Sequence, residues 1–332
     1  MAENLLQVHW WYWVAFGALV VLLLAVDLLV FHRRIHTPTL RESAAWSVFW
    51  IALALVFNAV VWWWGKITHG DAKAGLDFLA AYLVEKSLSM DNLFVFAVIF
   101  RFFQVPLKYQ YRVLFWGILG AVLLRLAFIL GGVELIRDFE ATLAVFGAFL
   151  LYTGVKLALS HDTEVHPEKN FVLRTARRFL RVTREDHGEH FFAREAGRLC
   201  ITPLFLVLLV IESTDVLFAV DSVPAVLGIT HDAFIAFTSN VFAILGLRAL
   251  YFLLAGVIDR FRYLHYGLSA VLVFIGAKMI GEYVFKRWTG EEKLRAVPSW
   301  VSLLVIASLL AISIAASVAA RRREARMMND ER

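Results

Sequence analysis

The stretch that decides the fold is EKSLSMDNLFVFAVIF, residues 85–100. It lies in an apolar run long enough to cross a membrane, and it contains four strongly polar side chains: Glu85, Lys86, Asp91 and Asn92. A charge at the centre of a bilayer costs roughly 3 kcal/mol on insertion scales, and such charges usually mark functional positions. A second stretch, IESTDVLFAVDSVPA at residues 211–225, repeats the pattern. We therefore expect the two stretches to form one intramembrane site.

Composition assigns the chain to membrane proteins. Of the 332 residues, 60% are hydrophobic and only 18% are charged, and the mean hydropathy is +0.69. Soluble domains are about half apolar and a quarter charged. Because the apolar residues come in segments of roughly 20, we predict an all-α polytopic membrane protein. The single cysteine, Cys200, excludes a disulfide framework and any cluster of cysteine metal ligands within the chain.

About nine segments are predicted to span the membrane as helices. They are residues 10–30, 44–64, 76–102, 113–130, 141–159, 200–227, 233–255, 264–285 and 299–320. Cytoplasmic segments of membrane proteins are enriched in Lys and Arg. With the N-terminus outside, the inner segments carry 21 such residues and the outer segments carry 7. The prediction is therefore N-terminus out and C-terminus in, and the net charge of +5 does not indicate nucleic-acid binding.

An internal repeat begins at SMDNLF, residues 89–94, and STDVLF, residues 213–218. The repeated charges are Asp91, Arg125 and Lys156 in the first unit, and Asp215, Arg248 and Lys278 in the second. Successive charges are 34 and 31 residues apart in the first unit and 33 and 30 in the second. Each unit contains three spans, an odd number, so the two units are predicted to be inverted relative to each other. Inverted repeats are typical of secondary transporters; a duplicated scaffold without transport is the alternative.

The repeat divides the chain into five parts. They are two N-terminal transmembrane helices (1–72), the first three-helix repeat (73–159), a cytoplasmic loop (160–199), the second three-helix repeat (200–288), and a last transmembrane helix with a basic cytoplasmic tail (289–332). The loop is predicted to contain a surface helix near RTARRFLRV, residues 174–182. Its four histidines, His161, His166, His187 and His190, suit either a metal sensor or an ordinary solvated loop.

Five acids and five bases are predicted to lie within the spans. The acids are Glu85, Asp91, Glu212, Asp215 and Asp221, and the bases are Lys86, Arg125, Lys156, Arg248 and Lys278. One interpretation is a set of buried ion pairs, which stabilise weakly because desolvation opposes them. In the other, the acids and Asn92 bind a cation and the bases are counter-charges; we favour a mixture of the two. Asp27 and Asp77 fall near predicted span ends, where a charge costs little.

A straight helix cannot direct all of these acids at one ion. Glu212 and Asp215 share a face, whereas Asp221 is turned about 120° from Asp215. Pro224 has no N–H, so it is predicted to interrupt the span and to free the carbonyl oxygen of Val220. By symmetry we expect the 76–102 span to unwind near Ser89; the alternative is that Glu85 faces another helix.

The candidate ligands of the site are all oxygen atoms. Beside the carboxylates and the Asn92 amide, they are the hydroxyls of Ser87, Ser89, Ser213, Thr214 and Ser222 and the Val220 carbonyl. Oxygen sites suit Mg²⁺, Ca²⁺ or Mn²⁺, whereas Zn²⁺ and Cu⁺ prefer nitrogen and sulfur. Several converging acids favour a divalent over a monovalent ion and disfavour an anion. Coupling to Na⁺ or H⁺ is left open.

The two motifs, EKSLSMDNLFVF and ESTDVLFAVDSVPA, resemble the paired signature of the TerC family of integral membrane proteins. The resemblance extends to SNVFAILGLRALYFLLAG at residues 239–256, and nine spans with a large cytoplasmic insert are similar to the Alx-like branch of that family. It implies manganese export from the cytoplasm. It also implies that the acids and Asn92 of both motifs line the metal pathway.

The leading hypothesis is a secondary transporter that exports a divalent cation, with Mn²⁺ as the transported ion and no cofactor. It would act in the bacterial inner membrane, with the lipid bilayer and the metal ion as its partners and a homo-oligomer as an open possibility. The alternative is an interaction or metallation factor that delivers metal, or that docks stress-response partners through residues 160–199. An enzyme is not expected, because neither an HExxH nor a GxSxG motif occurs.

Overall fold

A computed structural model describes residues 8–31, 39–70, 72–139, 141–159, 171–183, 188–195, 198–254, 263–289 and 297–330. Its helices are α1 (Trp10–Phe31), α2 (Leu40–His69), α3 (Lys73–Phe102), α4 (Leu107–Asp138), α5 (Ala141–Leu159), α6 (Phe171–Phe179), α7 (Pro203–Leu227), α8 (Ala233–Leu245), α9 (Leu247–Leu254), α10 (Leu264–Thr289) and α11 (Ser299–Asp330). Two short antiparallel strands, β1 (Phe192–Glu195) and β2 (Arg198–Ile201), precede α7. The prediction of an all-α polytopic membrane protein is confirmed, because eight helical segments are long and apolar enough to cross a membrane.

Helix α3 corresponds to the remaining predicted span. It is 30 residues long, but the charges in its middle keep it from being counted among the eight apolar segments. It nevertheless lies inside the bundle, where it packs against α2, α7, α8 and α11. The helix that carries the first motif is thus shielded by other helices, which lowers the cost of its charged side chains.

Side-chain caps fix where several helices begin. Thr39 and Glu42 form a capping box at the start of α2. Thr202 accepts a hydrogen bond from the Phe205 amide and is followed by Pro203, a residue favoured in the first helical turn. Asp232 accepts from two amides at the start of α8 at 2.9 and 3.1 Å. These caps determine where α7 and α8 begin, and α7 carries the second motif.

Helix α8 is the most enclosed helix of the bundle. Every residue from Phe234 to Leu245 is buried, including the polar Thr238, Ser239 and Asn240. The span predicted over 233–255 is one membrane-crossing segment, Ala233–Leu253, but within it α8 ends at Leu245 and α9 begins at Leu247. The break is at Gly246, and a Cβ there would lie 3.0 Å from both the Lys86 Nζ and the Trp50 Cβ.

The third helices of the two repeats, α5 and α10, pack in a symmetric way. A Cβ on Gly147 would lie 2.8 Å from the Gly276 carbonyl oxygen, and the Ser269 hydroxyl donates to the Gly154 carbonyl at 2.5 Å. The repeat aligns Gly147 with Ser269 and Gly154 with Gly276. Exchanging the repeats therefore converts one contact into the other. Helix α4 likewise packs on α7 as α8 packs on α3, which is the packing that two units related by a local two-fold axis produce.

The loop between the repeats contains the predicted surface helix, which is confirmed as α6. It buries Leu173 and Ala176 and packs against α7, while its terminal residues Phe171 and Phe179 are exposed. The hairpin β1–β2 then leads into α7, and no strand was predicted there. His190 is exposed; His161, His166 and His187 lie outside the described residues.

Candidate functional site

Arg125 of α4 joins the two repeated motifs. It is 1% exposed, and its Nη1 donates to the Glu85 carboxylate of α3 and, at 2.8 Å, to the Ser222 hydroxyl of α7. Its Nη2 faces the Asp215 Oδ1 at 3.4 Å. Ser89, one helical turn after Glu85, donates to the same carboxylate at 3.3 Å. We call these five residues the Arg125 cluster.

The Arg125 cluster is not fully satisfied by its own hydrogen bonds. Glu85 Oε2, Asp215 Oδ2 and Arg125 Nε are buried and have no hydrogen-bond partner among the residues that the structure describes. A buried polar atom without a partner costs about 1–3 kcal/mol, and more if it is charged. The two free carboxylate oxygens come from different repeats, so a ligand that bound both would join the two units.

Glu212 lies one turn before Asp215 on α7, and its carboxylate rests against Gly120 of α4. A Cβ at position 120 would overlap the carboxylate oxygens of Glu212. The absence of a side chain at Gly120 therefore makes the space in which Glu212 sits. Glu212 also interacts electrostatically with Asp215, so a third acid lies beside the Arg125 cluster.

The other predicted ligands of the two motifs lie in different surroundings. Asn92 is buried in α3. Asp91 belongs to α3 as well, but its side chain is outside the described part of the structure. Asp221 is half-buried and interacts electrostatically with Lys156 of α5, an exposed lysine that lies beside the Tyr152 ring. The described contacts thus bring Glu85, Glu212 and Asp215 towards one place and leave Asp221 apart from them.

The predicted interruptions of the two motif helices are wrong. Helix α3 runs without a break from Lys73 to Phe102, and α7 continues to Leu227 with Pro224 in its last turns. Pro224 removes only one hydrogen bond so close to the helix end, and this is tolerated where the helix is enclosed by others. Val220 is 41% exposed. Glu85 instead faces another helix, which was the alternative.

Most of the predicted hydroxyl ligands are engaged within their own helices. The hydroxyls of Ser213 and Thr214 donate to the Val210 carbonyl at 2.8 and 2.7 Å. Ser87 donates to the Leu83 carbonyl at 2.8 Å. Only Ser89 and Ser222, among the five predicted hydroxyls, have described contacts with the Arg125 cluster.

Two of the predicted counter-charges bind helix ends. Lys86 donates to the carbonyl of Ala243 at 3.1 Å, in the last turn of α8. Lys278 donates to the carbonyl of Gly228 at 3.1 Å, just after the end of α7, and lies 3.8 Å from Glu282. Carbonyls at the end of a helix have no helical donor, and a cation there is favoured by the helix dipole. Both lysines therefore satisfy backbone groups.

Arg248, the repeat counterpart of Arg125, has a partner that sequence reasoning missed. It forms a buried ion pair with Asp27 of α1, and its guanidinium carbon lies 4.6 Å from the centre of the Tyr111 ring of α4. The prediction that Asp27 lies where a charge is cheap is wrong, because Asp27 is 4% exposed. Asp77 is likewise buried. The repeat spacing did not indicate this pair, because α1 lies outside the repeat.

The arrangement can exchange one positive charge for another. Among the residues that the structure describes, no group of three or more His, Cys, Asp and Glu side chains is arranged to hold a metal ion. The place between Glu85 and Asp215 is taken by the Arg125 guanidinium. A cation could bind both carboxylates only if Arg125 moved away or shared them.

Comparison with known proteins supports the family resemblance of the two motifs. Residues 70–325 match the family described as integral membrane protein TerC family. An uncharacterized membrane protein of Myxococcus xanthus is 49% identical over 307 residues, which cover 92% of this chain and 91% of that protein.

Two further relatives carry the name putative membrane-bound redox modulator Alx. The one from Escherichia coli strain K12 is 51% identical over 272 residues, covering 81% of this chain and 85% of the relative. The one from Photorhabdus laumondii is 43% identical over 311 residues, covering 92% and 94%. No solved structure gives a significant match.

Proposed function

Because the chain belongs to the TerC family of integral membrane proteins, we propose that it is a secondary transporter that exports a divalent cation, with Mn²⁺ as the first candidate, across the bacterial inner membrane. The observation that carries the proposal is the Arg125 cluster, where one arginine bridges an acid from each repeat. Such a site at the interface of repeats is typical of secondary transporters.

In the proposed cycle the metal ion and Arg125 compete for the same carboxylates. Without metal, Arg125 neutralises Glu85 and Asp215. A divalent ion arriving from the cytoplasm would displace the guanidinium and use the two carboxylate oxygens for which the described residues supply no hydrogen-bond partner. Return of Arg125 would then help to release the ion on the other side. Protons or another cation would flow in the opposite direction.

Oxygen ligands support a hard divalent ion as the substrate. Glu85, Asp215 and the neighbouring Glu212 supply carboxylates, and Ser89 and Ser222 supply hydroxyls. Mg²⁺, Ca²⁺ and Mn²⁺ accept such ligands, whereas Zn²⁺ and Cu⁺ favour nitrogen and sulfur. The name redox modulator of the relatives fits an indirect effect through metal supply, because one cysteine cannot form an intramolecular dithiol pair.

The test is metal flux into liposomes that contain the purified protein and a metal-sensitive dye. Mn²⁺, Mg²⁺, Ca²⁺ and Zn²⁺ are compared, and Mn²⁺ flux is expected to exceed Zn²⁺ flux. Glu85→Gln and Asp215→Asn should abolish the flux, while Glu134→Gln, which changes an exposed acid of α4, should not. Flux that survives both cluster variants would overturn the site assignment, and the absence of flux for every ion would overturn the transporter.

The alternative, an interaction or metallation factor, is supported by α6, which exposes Phe171 and Phe179 at 76% and 75%. Deletion of residues 160–199 separates the two functions. A transporter should keep part of its flux after the deletion, whereas a factor that docks partners through this loop should lose its cellular effect while the Arg125 cluster remains intact.

A further inference from the structure

We propose that Asp27, Tyr111 and Arg248, hereafter the Arg248 cluster, form a gate between the Arg125 cluster and the cytoplasm. The inference rests on the proposed function for the pathway that the gate would close. Its structural basis is independent of the transported ion. It concerns an acid on α1, a helix that precedes the region matched by the TerC family.

The first step is the relation between the two arginines. Arg125 and Arg248 occupy the same position in the two repeats, and the packing of α4 on α7 matches that of α8 on α3. Arg125 binds one acid from each repeat, Glu85 and Asp215. A second site with the same composition is therefore expected around Arg248.

The second step is that the repeat cannot supply both acids of this second site. The counterpart of Asp215 is Asp91, whereas the counterpart of Glu85 is Leu209. The structure places Asp27 of α1 against Arg248, and both side chains are 5% exposed. A helix from outside the repeats thus supplies an acid that the second repeat lacks.

The third step is the depth of the two clusters. Tyr111, whose ring lies against Arg248, is four residues after the start of α4, about 6 Å along its axis. Arg125 is 18 residues after the same start, about 27 Å. Asp215 is 12 residues after the start of α7, about 18 Å. Both helices start on the predicted cytoplasmic side, so the Arg248 cluster lies between the Arg125 cluster and the cytoplasm.

The fourth step is what the contacts hold together. The ion pair and the arginine–tyrosine contact connect α1, α4 and α9. In the proposed gate these three helices separate to admit an ion from this side. Asp27 and the Tyr111 ring hold Arg248 in place, and because the ion pair is electrically neutral the closure depends on this contact and not on a net positive charge. Entry of a cation therefore requires that Arg248 swing away, and Asp27 is a positioning residue for that movement.

The experiment measures access to the pathway and does not need transport. Cys200 is replaced by serine, and Ala219→Cys is introduced on the face of α7 that carries Asp215 and Ser222, at a residue that is fully buried. Inside-out membrane vesicles expose the cytoplasmic face to a charged, membrane-impermeant methanethiosulfonate reagent. The labelling rate of the protein in which Asp27 is unchanged is compared with the rates of three variants. These are Asp27→Asn, Asp27→Glu and the swapped pair Asp27→Lys/Arg248→Asp.

Asp27→Asn should raise the labelling rate about tenfold, a size usual for coupled equilibria. Asp27→Glu and the swapped pair should return it towards the original rate. Glu282→Gln, which removes the acid of the Lys278 pair, is the matched control and should leave the rate unchanged. Unchanged labelling in Asp27→Asn, or an equal rise in Glu282→Gln, would overturn the gate. If the unaltered protein showed no metal flux in liposomes, the proposed transport would be overturned, but the gate would not.

Discussion

Arg125 and Asp215 face each other at 3.4 Å although they lie in different repeats, 90 residues apart in the chain. The same guanidinium binds Glu85, so a single side chain neutralises two acids from the two motifs. Since all three side chains are buried, their pairing costs desolvation free energy, and it also constrains the positions of the three helices that carry them. The intact cluster stabilises weakly, but removing one partner leaves a buried charge without compensation.

We therefore predict that Arg125→Gln destabilises the protein by about 3–5 kcal/mol. The double variant Arg125→Gln/Glu85→Gln should recover part of this loss, because it removes one of the two abandoned charges. The measurement is unfolding of the purified protein in detergent for both variants. Arg137→Gln is the control, since Arg137 lies on the same helix in an exposed ion pair and should change stability by less than about 0.5 kcal/mol. Equal effects of Arg125→Gln and Arg137→Gln would contradict the prediction.

Gly120→Ala is predicted to displace Glu212. The new methyl group would overlap the carboxylate, which is the end of a flexible side chain, so Glu212 must turn away at a cost of about 1 kcal/mol, the lower end of the range for overpacking. The metal concentration for half-maximal flux should rise as well. Gly131→Ala on the same helix is the control, because nothing lies within 4 Å of its Cβ. If Gly120→Ala/Glu212→Ala is no more stable than Gly120→Ala, the overlap with Glu212 is not the cause.

Lys86→Met is predicted to loosen the end of α8. It removes the donor to the Ala243 carbonyl, and a buried acceptor without a donor costs about 1–3 kcal/mol. Hydrogen exchange should therefore speed up in residues 243–250, next to the break at Gly246. Lys86→Arg should keep the donor and slow the exchange again. Lys66→Met tests the general effect of losing a lysine, because Lys66 is exposed on α2 and should leave exchange in this segment unchanged.

Much of the fold could be predicted from the sequence, because a membrane span needs a long apolar segment and little else. The segment 141–159 has the same bounds as α5, and the other spans differ from their helices mainly at the ends, where polar residues continue a helix beyond the apolar core. The break at Gly246 was missed because the apolar pattern continues through it. A glycine in an apolar helix is compatible with either a break or close packing, and only the neighbours, here Lys86 and Trp50, decide.

The site was predicted less completely, because the sequence does not show which group on a neighbouring helix a long side chain contacts. The spacing of the repeat identified Arg125 and Asp215, which meet in the structure. It could not reveal that Lys86 extends to a carbonyl of α8, since a charge pattern carries no information about backbone acceptors. Nor could it pair Arg248 with Asp27, because α1 lies outside the repeat.

The contact between α5 and α10 gives the last prediction. A Cβ on Gly276 would lie 2.6 Å from the Gly147 carbonyl oxygen and 2.9 Å from the Leu151 backbone nitrogen, so two backbones would have to separate. Gly276→Ala should cost at least about 1–3 kcal/mol, because backbone yields less easily than a flexible side chain. In membranes, close helix contacts depend on such small residues.

The matched control for this contact is Gly281→Ala, five residues later on α10, where nothing lies within 4 Å of a Cβ. Because Gly147 and Gly276 face each other across the same contact, Gly147→Ala should resemble Gly276→Ala, with its Cβ 2.8 Å from the Gly276 carbonyl oxygen. Unfolding of the three variants in detergent measures the costs. If Gly276→Ala were as stable as Gly281→Ala, the two helices would not be held at the separation described, and the local two-fold packing of the repeats would have to be abandoned.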